Sequence, residues 1–397
     1  MDSLLPYVGD WLHLVVRWLH VTAAIAWIGA SFYFIALDQS LRAPASASEG
    51  VGGEAWEIHG GGFYRVEKYR LAPRVLPDRL QWFKWEAYVT WLSGFTLLVL
   101  LYYVDPSQYL MNAADPRFQG WELVVASLAI IVFSWFAYDA LCRTLAGNER
   151  ALAVGIASLI VFIAAISGLL FSPRGAFIQV GAAVGTWMAA NVFFVIIPGQ
   201  KDLVRATAAG RVPDAGPGIR GKQRSVHNNY LTLPVLFAMI SQHVPFTYGR
   251  DNAWLALLGL MALGALVRHV FNVRHQGRDA RPAAGGVAVL FVFLFVALYP
   301  RDDAGPAGLT AADFGPVQQV FIARCVTCHS AHPMREGITV APLGVLFDTQ
   351  QQIVANAHRA YVQVVVTKAM PFGNVTGMTD AERDLIGRWV RSGAPAP

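Results

Sequence analysis

The chain carries, near its C-terminal end, the stretch FIARCVTCHSAHPMREG, which places Cys325, Cys328 and His329 in the order C-x-x-C-H. This spacing is typical of covalent haem attachment, because two thiols add to the haem vinyl groups and the adjacent imidazole ligates the iron. The sequence therefore predicts one covalent haem c, anchored by Cys325 and Cys328, with His329 as an axial ligand.

Met370, in the stretch KAMPFGN, is the predicted second axial ligand. It lies in a loop well downstream of the haem motif, and Pro371 stiffens the approach of the chain. Ligation by one histidine and one methionine raises the reduction potential of a haem, which suits an electron acceptor. Met334 lies too close to the motif for this role, and Met378 lies in the turn before the last predicted helix.

The C-terminal residues 313–397 have the size of a small cytochrome c domain of class I type. A helix over 314–324 leads into the haem motif. A final helix over 380–391 begins with a capping box, in which Thr379 caps the helix and Glu382 reaches back to it. Residues 301–312, rich in Asp, Gly and Pro, are the predicted linker to the rest of the chain.

The residues before this linker, 1–300, have the character of a membrane protein. Of the 397 residues in the chain, 55% are hydrophobic and only 14% are charged, and the mean hydropathy is +0.42. Soluble globular proteins have about 25% charged residues. We expect an all-α fold, in which an eight-helix transmembrane bundle is followed by the small cytochrome domain. The eight apolar segments lie near 11–37, 82–104, 121–141, 151–171, 175–198, 226–244, 253–271 and 283–300.

The distribution of Lys and Arg predicts how the bundle lies in a bacterial inner membrane. These residues cluster in the connections after the first, third, fifth and seventh segments, including the long inner loop 38–81, and positive residues stay on the cytoplasmic side. The N-terminus therefore faces out, and an even number of spans places the cytochrome domain in the periplasm. The first segment is too long for a cleaved signal and lacks basic residues before it. The other connections hold only Arg117, Arg174 and Arg250.

Ionisable side chains inside membrane spans are costly and usually functional. His227 and His243 lie about 24 Å apart along a helix, which suits two stacked b-type haems, although this spacing turns their rings to nearly opposite faces. The alternative is that the membrane imidazoles form hydrogen bonds between helices or reach the membrane surface. The candidate ligands for a membrane haem b are His13, His20, His227, His243 and His269.

A second group of polar residues gathers toward the predicted cytoplasmic side. The inner loop contains HGGGFYRVEKYR, whose glycine triplet is expected to form either a flexible turn or a backbone site for an anion. Together with polar residues of several spans, it predicts a basic, aromatic pocket for a planar anionic molecule. The candidate substrate-binding and catalytic residues are His59, Arg65, Lys68, Glu86, Asp139, Asn228 and Asn229.

Several stretches resemble one known family. RWLHVTAAIAWIGASFYFIALD, HGGGFYRVEKY, WFKWEAYVTWLSGF and HNNYLTLPVLFAMISQH are similar to the membrane domain of bacterial membrane-bound urate hydroxylases, which are cytochrome c-dependent urate oxidases. KAMPFGNVTGMTDAERDLIGRWV is similar to the cytochrome domain of that family. The resemblance covers nearly the whole chain.

The resemblance implies an oxidoreductase of purine catabolism, which hydroxylates urate to 5-hydroxyisourate with oxygen from water. The electrons would pass to the fused haem c and then to a downstream acceptor, a cytochrome c or a terminal oxidase of the respiratory chain. Within this hypothesis, a basic residue and two amides hold the urate anion, and an imidazole or carboxylate takes the proton. The candidates are Arg65 or Lys68, Asn228 and Asn229, and His227, Glu86 or Asp139.

Two other classes of protein fit parts of this pattern. A membrane-anchored cytochrome c would serve a separate quinol or dehydrogenase partner, and its haem would be reduced only when that partner is present. A transporter with a redox-sensing tail has less support, because the sequence contains no detectable internal repeat or paired broken helices. The expected partners are urate, the downstream electron acceptor and the lipid bilayer, and no feature predicts binding to nucleic acid.

Overall fold

The computed structural model describes residues 4–44, 50–112, 118, 120–250, 252–299, 306–335 and 338–397. These ranges include most residues of the predicted inner and outer connections between the spans. Arg117 and residues 301–305 of the predicted linker lie outside the described residues. The described residues form a mostly helical structure with one two-stranded sheet.

The helices of the first part of the chain follow the predicted spans. Each of the eight apolar segments coincides with one of the longer helices. The helices are α1 (Leu4–Ser40), α2 (Trp85–Leu98), α3 (Pro106–Tyr109), α4 (Gly120–Thr144), α5 (Glu149–Leu170), α6 (Pro173–Ala190), α7 (Ile197–Ala208), α8 (Ala215–Ile240), α9 (Ala253–His275) and α10 (Arg281–Ala297).

Five described helical stretches are long and apolar enough to cross a membrane, namely Tyr7–Ser40, Gly120–Thr144, Glu149–Leu170, Pro173–Ala208 and Ala253–His275. The other three predicted spans are not among these stretches. α10 has only 17 residues, the first half of α8 is polar, and α2 has 14 residues before the π-helical turn Val99–Tyr103. For these three helices, membrane crossing stays a prediction.

The outer surface of the bundle exposes many large apolar side chains, and its interior contains polar side chains beside the hydrophobic cores. Lipid favours this arrangement, because it solvates apolar side chains while polar groups must find partners within the protein. The exposed apolar side chains include Phe133, Phe136, Phe162, Leu169, Phe293 and Phe295. The buried polar side chains include Gln179, Asn191, Asn228, Asn229, Arg268 and Asn272. The described part of the chain is therefore compatible with a membrane protein.

Two helix boundaries differ from the predicted spans. α8 begins at Ala215, well before the predicted start near 226, because the Asp214 carboxylate accepts the backbone N–H of Gly216 and caps the helix. α6 continues through a π-helical segment, Asn191–Ile196, into α7. Polar residues expected in a connecting loop, Arg224 among them, therefore lie on a helix inside the bundle.

The inner loop contains a β-hairpin, which the all-α prediction missed. β1 (Val51–His59) pairs antiparallel with β2 (Gly62–Tyr69), and His59 lies opposite Gly62. Gly60 and Gly61 form the two-residue turn with φ of 58° and 82°, as a type I′ turn requires. The glycines are therefore explained by the turn.

The C-terminal residues form their own helical unit. It contains α11 (Phe314–Arg324), α12 (Gln350–Ala355), α13 (Ala357–Tyr361) and α14 (Asp380–Arg391), with a π turn Val362–Val366 after α13. The two predicted helices are confirmed, and so is the capping box of Thr379 and Glu382. A separate hydrophobic core, which includes Phe321, Phe347, Ile386 and Trp389, holds these helices together.

Candidate active site

A connected set of polar side chains lies inside the bundle, near the C-terminal end of α4 and the N-terminal half of α8. We call it the inner network, and it consists of Tyr138, Asp139, Asn191, Arg224, His227 and Asn228. Arg224 donates to Asp139 Oδ1 over 2.6 Å and to Asn191 Oδ1 over 3.1 Å. Asn191 Nδ2 donates to the Tyr138 hydroxyl over 2.9 Å and to Asn228 Oδ1 over 2.8 Å. The Tyr138 hydroxyl also bonds His227 Nδ1 over 2.8 Å.

The π-helical segment after α6 positions Asn191 in this network. Pro198 follows the segment and lacks the N–H that a regular helix would use, so the wider turn relieves the clash that proline causes in a helix. Arg224, His227 and Asn228 share one face of α8, because they are three and four residues apart. The two elements thus bring their polar groups to the same place.

The inner network is held by aromatic contacts as well. The Tyr138 ring stacks on the Trp187 ring at 4.9 Å and 9°, and the Arg224 guanidinium carbon lies 5.0 Å from the Tyr138 ring centroid. Arg143 adds a second ion pair to Asp139 at 2.7 Å. Because Asp139 and Arg224 satisfy each other, their arrangement favours a structural role.

A cavity of about 750 Å³ lies beside the inner network, within the range of small-molecule sites. α1, β2, the start of α2, the π segment and α8 surround it. Its aromatic lining includes Trp27, Phe34 and Trp82, and Asn228 connects it to the inner network. The cavity thus has aromatic walls and polar groups, and its use by a planar anionic substrate stays a prediction.

Charged side chains of both signs line this cavity. Asp38 of α1 pairs with Lys68 of β2 and, at 2.8 Å, with Lys222 of α8. Burial lowers the pKa of Lys68, and the nearby Lys222 ammonium lowers it further. The Glu86 carboxylate has no hydrogen bond or ion pair with any described residue, so it is the candidate in this cavity most available to take a proton.

The other hairpin candidates lie outside the cavity lining. His59 is exposed next to the hairpin turn. Arg65 forms ion pairs with Glu54 and Glu67, each at 2.8 Å. Of the three predicted residues in this loop, the structure brings Lys68 alone to the cavity.

Asn229 faces a different pair of helices from Asn228. Its side-chain oxygen accepts hydrogen bonds from Arg268 Nε and Asn272 Nδ2 of α9, both over 2.9 Å. The Arg268 guanidinium carbon lies 3.9 Å from the Phe32 ring centroid. Arg268 is 3% exposed and has no ion-pair partner among the described residues, which makes it a buried positive charge without a counter-ion.

The five candidate membrane-haem histidines have separate surroundings. His227 bonds Tyr138, and His269 Nδ1 bonds the Tyr230 hydroxyl over 2.8 Å. His20 Nδ1 lies 3.0 Å from the Thr90 carbonyl oxygen. His13 Nδ1 has no described partner, and His243 ends a short 3-10 turn after α8. Ligation of a haem b by these residues stays a prediction.

The C-x-x-C-H motif lies at the end of α11, in a tight turn. His329 N donates to the Cys325 carbonyl over 2.9 Å, and His329 Nδ1 bonds the Val345 carbonyl over 3.1 Å. That second bond leaves Nε2 free for a metal, as the outer-shell partner of a ligating histidine does. Burial lowers the pKa of His329, and burial raises the pKa of the Cys325 thiol to about 12.

Met370 packs against the hydrophobic core that contains Cys325. Arg383 fixes the loop by donating to the Met370 carbonyl over 2.8 Å. Met378 belongs to the core itself at 4% exposure, whereas Met334 is 79% exposed. The donor set and its apolar surroundings are compatible with a haem c, and Met370 as its second axial ligand stays a prediction.

Sequence reasoning missed Arg224 as a network residue and did not foresee that Arg268 is buried with no ion-pair partner among the described residues. Arg224 was counted among the positive residues of a loop, although its three- and four-residue spacing to His227 and Asn228 indicates one helix face. Asp38 and Lys222 were missed because the contacts of Asp38 with Lys222 and with Lys68 join three distant parts of the chain.

The fold and the cavity define a helical protein with long apolar helices, a polar interior and a separate C-terminal helical unit. A family model described as urate oxidase N-terminal matches residues 6–299, which span the helices α1 to α10. No curated protein and no solved structure matches the chain significantly. The chain belongs to the urate oxidase N-terminal family, and this membership indicates an oxidoreductase acting on urate.

Proposed function

We propose that this protein oxidises urate to 5-hydroxyisourate in the membrane and passes the electrons to a haem c in its C-terminal unit. In the reaction, urate and one water give 5-hydroxyisourate, two protons and two electrons. The new C5–O bond takes its oxygen from water. A haem c, reoxidised by a downstream cytochrome c or terminal oxidase, is the acceptor that the reaction requires.

The match to the urate oxidase N-terminal family is the main support for this proposal. It covers the whole helical bundle, and the same bundle contains the 750 Å³ cavity. Urate is a planar purine and a monoanion at neutral pH, so it needs flat apolar walls and positive groups. The cavity offers Trp27, Phe34 and Trp82 as walls, with Lys68 and Lys222 as the positive groups.

The residues of the cavity have separate roles in the proposed reaction. Glu86 is the proposed base, because its carboxylate lines the cavity and has no other described partner. Asn228 presents an amide that the inner network holds in place. Arg65, His59 and Asp139 stay predictions of the sequence, and their contacts in this structure give them other partners or an exposed position.

The C-terminal unit would hold the haem through Cys325 and Cys328, with His329 and Met370 as axial ligands. When bound, the haem supplies a one-electron acceptor of raised potential. The Val345 carbonyl fixes the orientation of the His329 ring through a hydrogen bond with Nδ1. Arg383 holds the Met370 loop in place by donating to the Met370 carbonyl.

The proposed location is the bacterial inner membrane, with both termini in the periplasm. The charge bias of the connections supports this orientation. A cytoplasmic urate site would then lie about 30 Å of hydrocarbon away from the outer haem. This distance is the reason for proposing a membrane haem b, for which the five histidines are the candidates.

The test is to add urate, under anaerobic conditions, to the oxidised, detergent-purified chain and to follow the α-band of reduced haem c. A pyridine haemochrome assay on the same sample measures haem b. We expect reduction without any added partner and incorporation of isotope-labelled water into the product. If urate is limiting and haem c is the only electron acceptor in each chain, each urate consumed should reduce the haem c of two chains. A haem b in the same chain would bring this ratio to one.

Xanthine, which lacks the urate 8-oxo group, is the matched control and should reduce no haem. If dithionite reduces the haem c and urate does not, the proposal fails. That outcome would favour the second candidate, a membrane-anchored cytochrome that needs a separate quinol or dehydrogenase partner.

A further inference from the structure

The C-terminal unit contacts the end of the bundle opposite the inner network, and the contact is centred on Arg174. The Arg174 guanidinium carbon lies 4.1 Å from the ring centroid of Tyr109 and 4.1 Å from that of Phe372. The two rings also meet edge to face at 5.4 Å and 85°. One guanidinium thus lies against an aromatic ring from each part of the chain.

Local structure determines where Arg174 points. It lies in the first turn of α6, which Ser172 caps by accepting the N–H of Gly175 over 3.0 Å. Arg174 Nη2 donates to Gln242 Oε1 over 2.6 Å, which fixes the guanidinium from the side of α8. Arg174 has no ion-pair partner among the described residues, so the Gln242 amide oxygen and the two ring faces are the contacts that stabilise its charge.

A second point of contact lies at Gly249, in the connection between α8 and α9. A Cβ added there would collide with the carbonyl oxygen of Thr367 and would lie 3.3 Å from Lys368 Cβ. The backbone of the bundle therefore approaches the segment just before Met370 closely enough that only glycine fits. This contact is independent of the Arg174 side chain.

The segment that touches the bundle is the loop that carries Met370. Phe372 follows Met370 by two residues, and Thr367 precedes it by three. Within the C-terminal unit, Arg383 donates to the Met370 carbonyl over 2.8 Å, and Met370 N donates to the Gln363 carbonyl over 2.9 Å. Arg383 thus holds the loop from within the C-terminal unit, and Arg174 and Gly249 contact the same segment from the bundle.

We propose that Arg174 is the positioning residue that docks the Met370 loop onto the bundle, so that the C-terminal unit presents this loop to the membrane part. The cation bridges the Tyr109 and Phe372 rings, and Gly249 allows the backbones to approach. The inference rests on the proposed axial role of Met370 and on no particular substrate. Docking would hold the Met370 loop against the bundle and leave the proposed haem ligands in place.

The test compares amide hydrogen exchange in the full chain with Arg174→Ala, Phe372→Leu and the double variant. Each single change should raise exchange at 367–376 by about tenfold, the loss expected for a desolvated cation–π contact. The double variant should add little, because both changes remove one contact. Arg174→Lys keeps the charge and should recover part of the protection, and the exposed Arg359→Ala is the matched control.

A second measurement separates docking from general stability. Arg174→Ala and Gly249→Val should slow haem reduction by urate about tenfold, while the midpoint potential and the reduction by dithionite stay unchanged. Unchanged exchange at 367–376, or a uniform rise over all C-terminal amides, would overturn the inference. If urate reduces no haem in the unaltered chain, the proposed function fails, and the exchange data still decide the docking.

Discussion

The guanidinium of Arg224 lies 2.6 Å from the carboxylate of Asp139 inside the bundle, where Arg224 is 3% exposed. Removing Arg224 leaves Asp139 paired with the exposed Arg143 alone, and breaking a buried ion pair costs about 3–5 kcal/mol. We therefore expect Arg224→Met to lower the thermal unfolding midpoint of the detergent-purified chain strongly.

Replacing both partners removes the charge imbalance. Arg224→Met combined with Asp139→Leu should regain most of the lost stability. Arg143, which also pairs with Asp139 but is 74% exposed, is the control, and Arg143→Met should cost at most about 1 kcal/mol. A double variant as unstable as Arg224→Met would show that the charge imbalance is not the cause of the lost stability.

Glu86 is predicted to act in catalysis and to contribute little to folding. Glu86→Gln keeps the size of the side chain and removes its basicity, so kcat for urate should fall about 100-fold or more while KM changes little. Anaerobic single-turnover kinetics measure this change. Glu149→Gln, at an exposed carboxylate in the first turn of α5, is the matched control and should keep full activity. A Glu86→Gln protein with unaltered kcat would remove Glu86 from the mechanism.

Hydropathy predicted the helices of the bundle because a membrane helix needs about 20 apolar residues whatever its neighbours are. It misplaced the start of α8, where Asp214 caps a polar stretch that packs inside the protein. The β-hairpin was missed although Gly60–Gly61 between alternating residues is a hairpin signal. From the sequence these glycines are expected to form either a flexible turn or an anion site, and in the structure Gly60 and Gly61 form the hairpin turn.

The candidate site was predictable only in part, because side-chain partners depend on long-range contacts. Lys68, Glu86 and Asn228 do line one cavity. Arg65 is occupied by two carboxylates of its own hairpin, which the sequence shows nearby but cannot assign to it. The Asp38 bridge between Lys68 and Lys222 joins α1, β2 and α8, and no local pattern encodes such a contact.

Three methionines near the haem motif allow a matched test of the axial ligand. Met370→Ala should abolish the near-infrared charge-transfer band of ferric Met-ligated haem and lower the midpoint potential. Met378→Ala should keep the band but cost about 2–5 kcal/mol of stability, because Met378 is buried in the core. Met334→Ala, at an exposed position, should change neither. Loss of the band in Met378→Ala alone would assign ligation to that residue.

Arg268 and Arg224 are equally buried at 3% exposure, yet they differ in their partners. Arg268→Met removes a charge that has no described counter-ion, so the fold should tolerate it better than Arg224→Met. The loss of a positive charge from the bundle interior should weaken binding of the urate anion and raise KM by up to about tenfold. Steady-state kinetics and thermal unfolding on the same preparations check both expectations. An unchanged KM would mean that Arg268 lies too far from the bound anion to influence it.

Glu382 links the start of α14 to the end of α11 and should make this part of the fold sensitive to acid. One carboxylate oxygen accepts from Arg324 over 3.0 Å, and the other accepts from Thr379 N over 2.7 Å. Burial alone would raise the pKa of Glu382, but the hydrogen bonds from Thr379 and Arg324 outweigh it and hold the pKa below its usual value.

Because the pKa is lowered in the folded state, the contribution of Glu382 to stability is complete above the unfolded pKa of about 4.3 and is lost as the pH falls through the folded value. Glu382→Gln should remove this dependence, while Thr379→Ala should cost about 1 kcal/mol through the lost cap. Amide exchange of α11 and α14 in the full chain, corrected for intrinsic rates, measures both effects. If protection of the two helices falls equally with pH in Glu382→Gln and in the unaltered chain, another carboxylate is responsible.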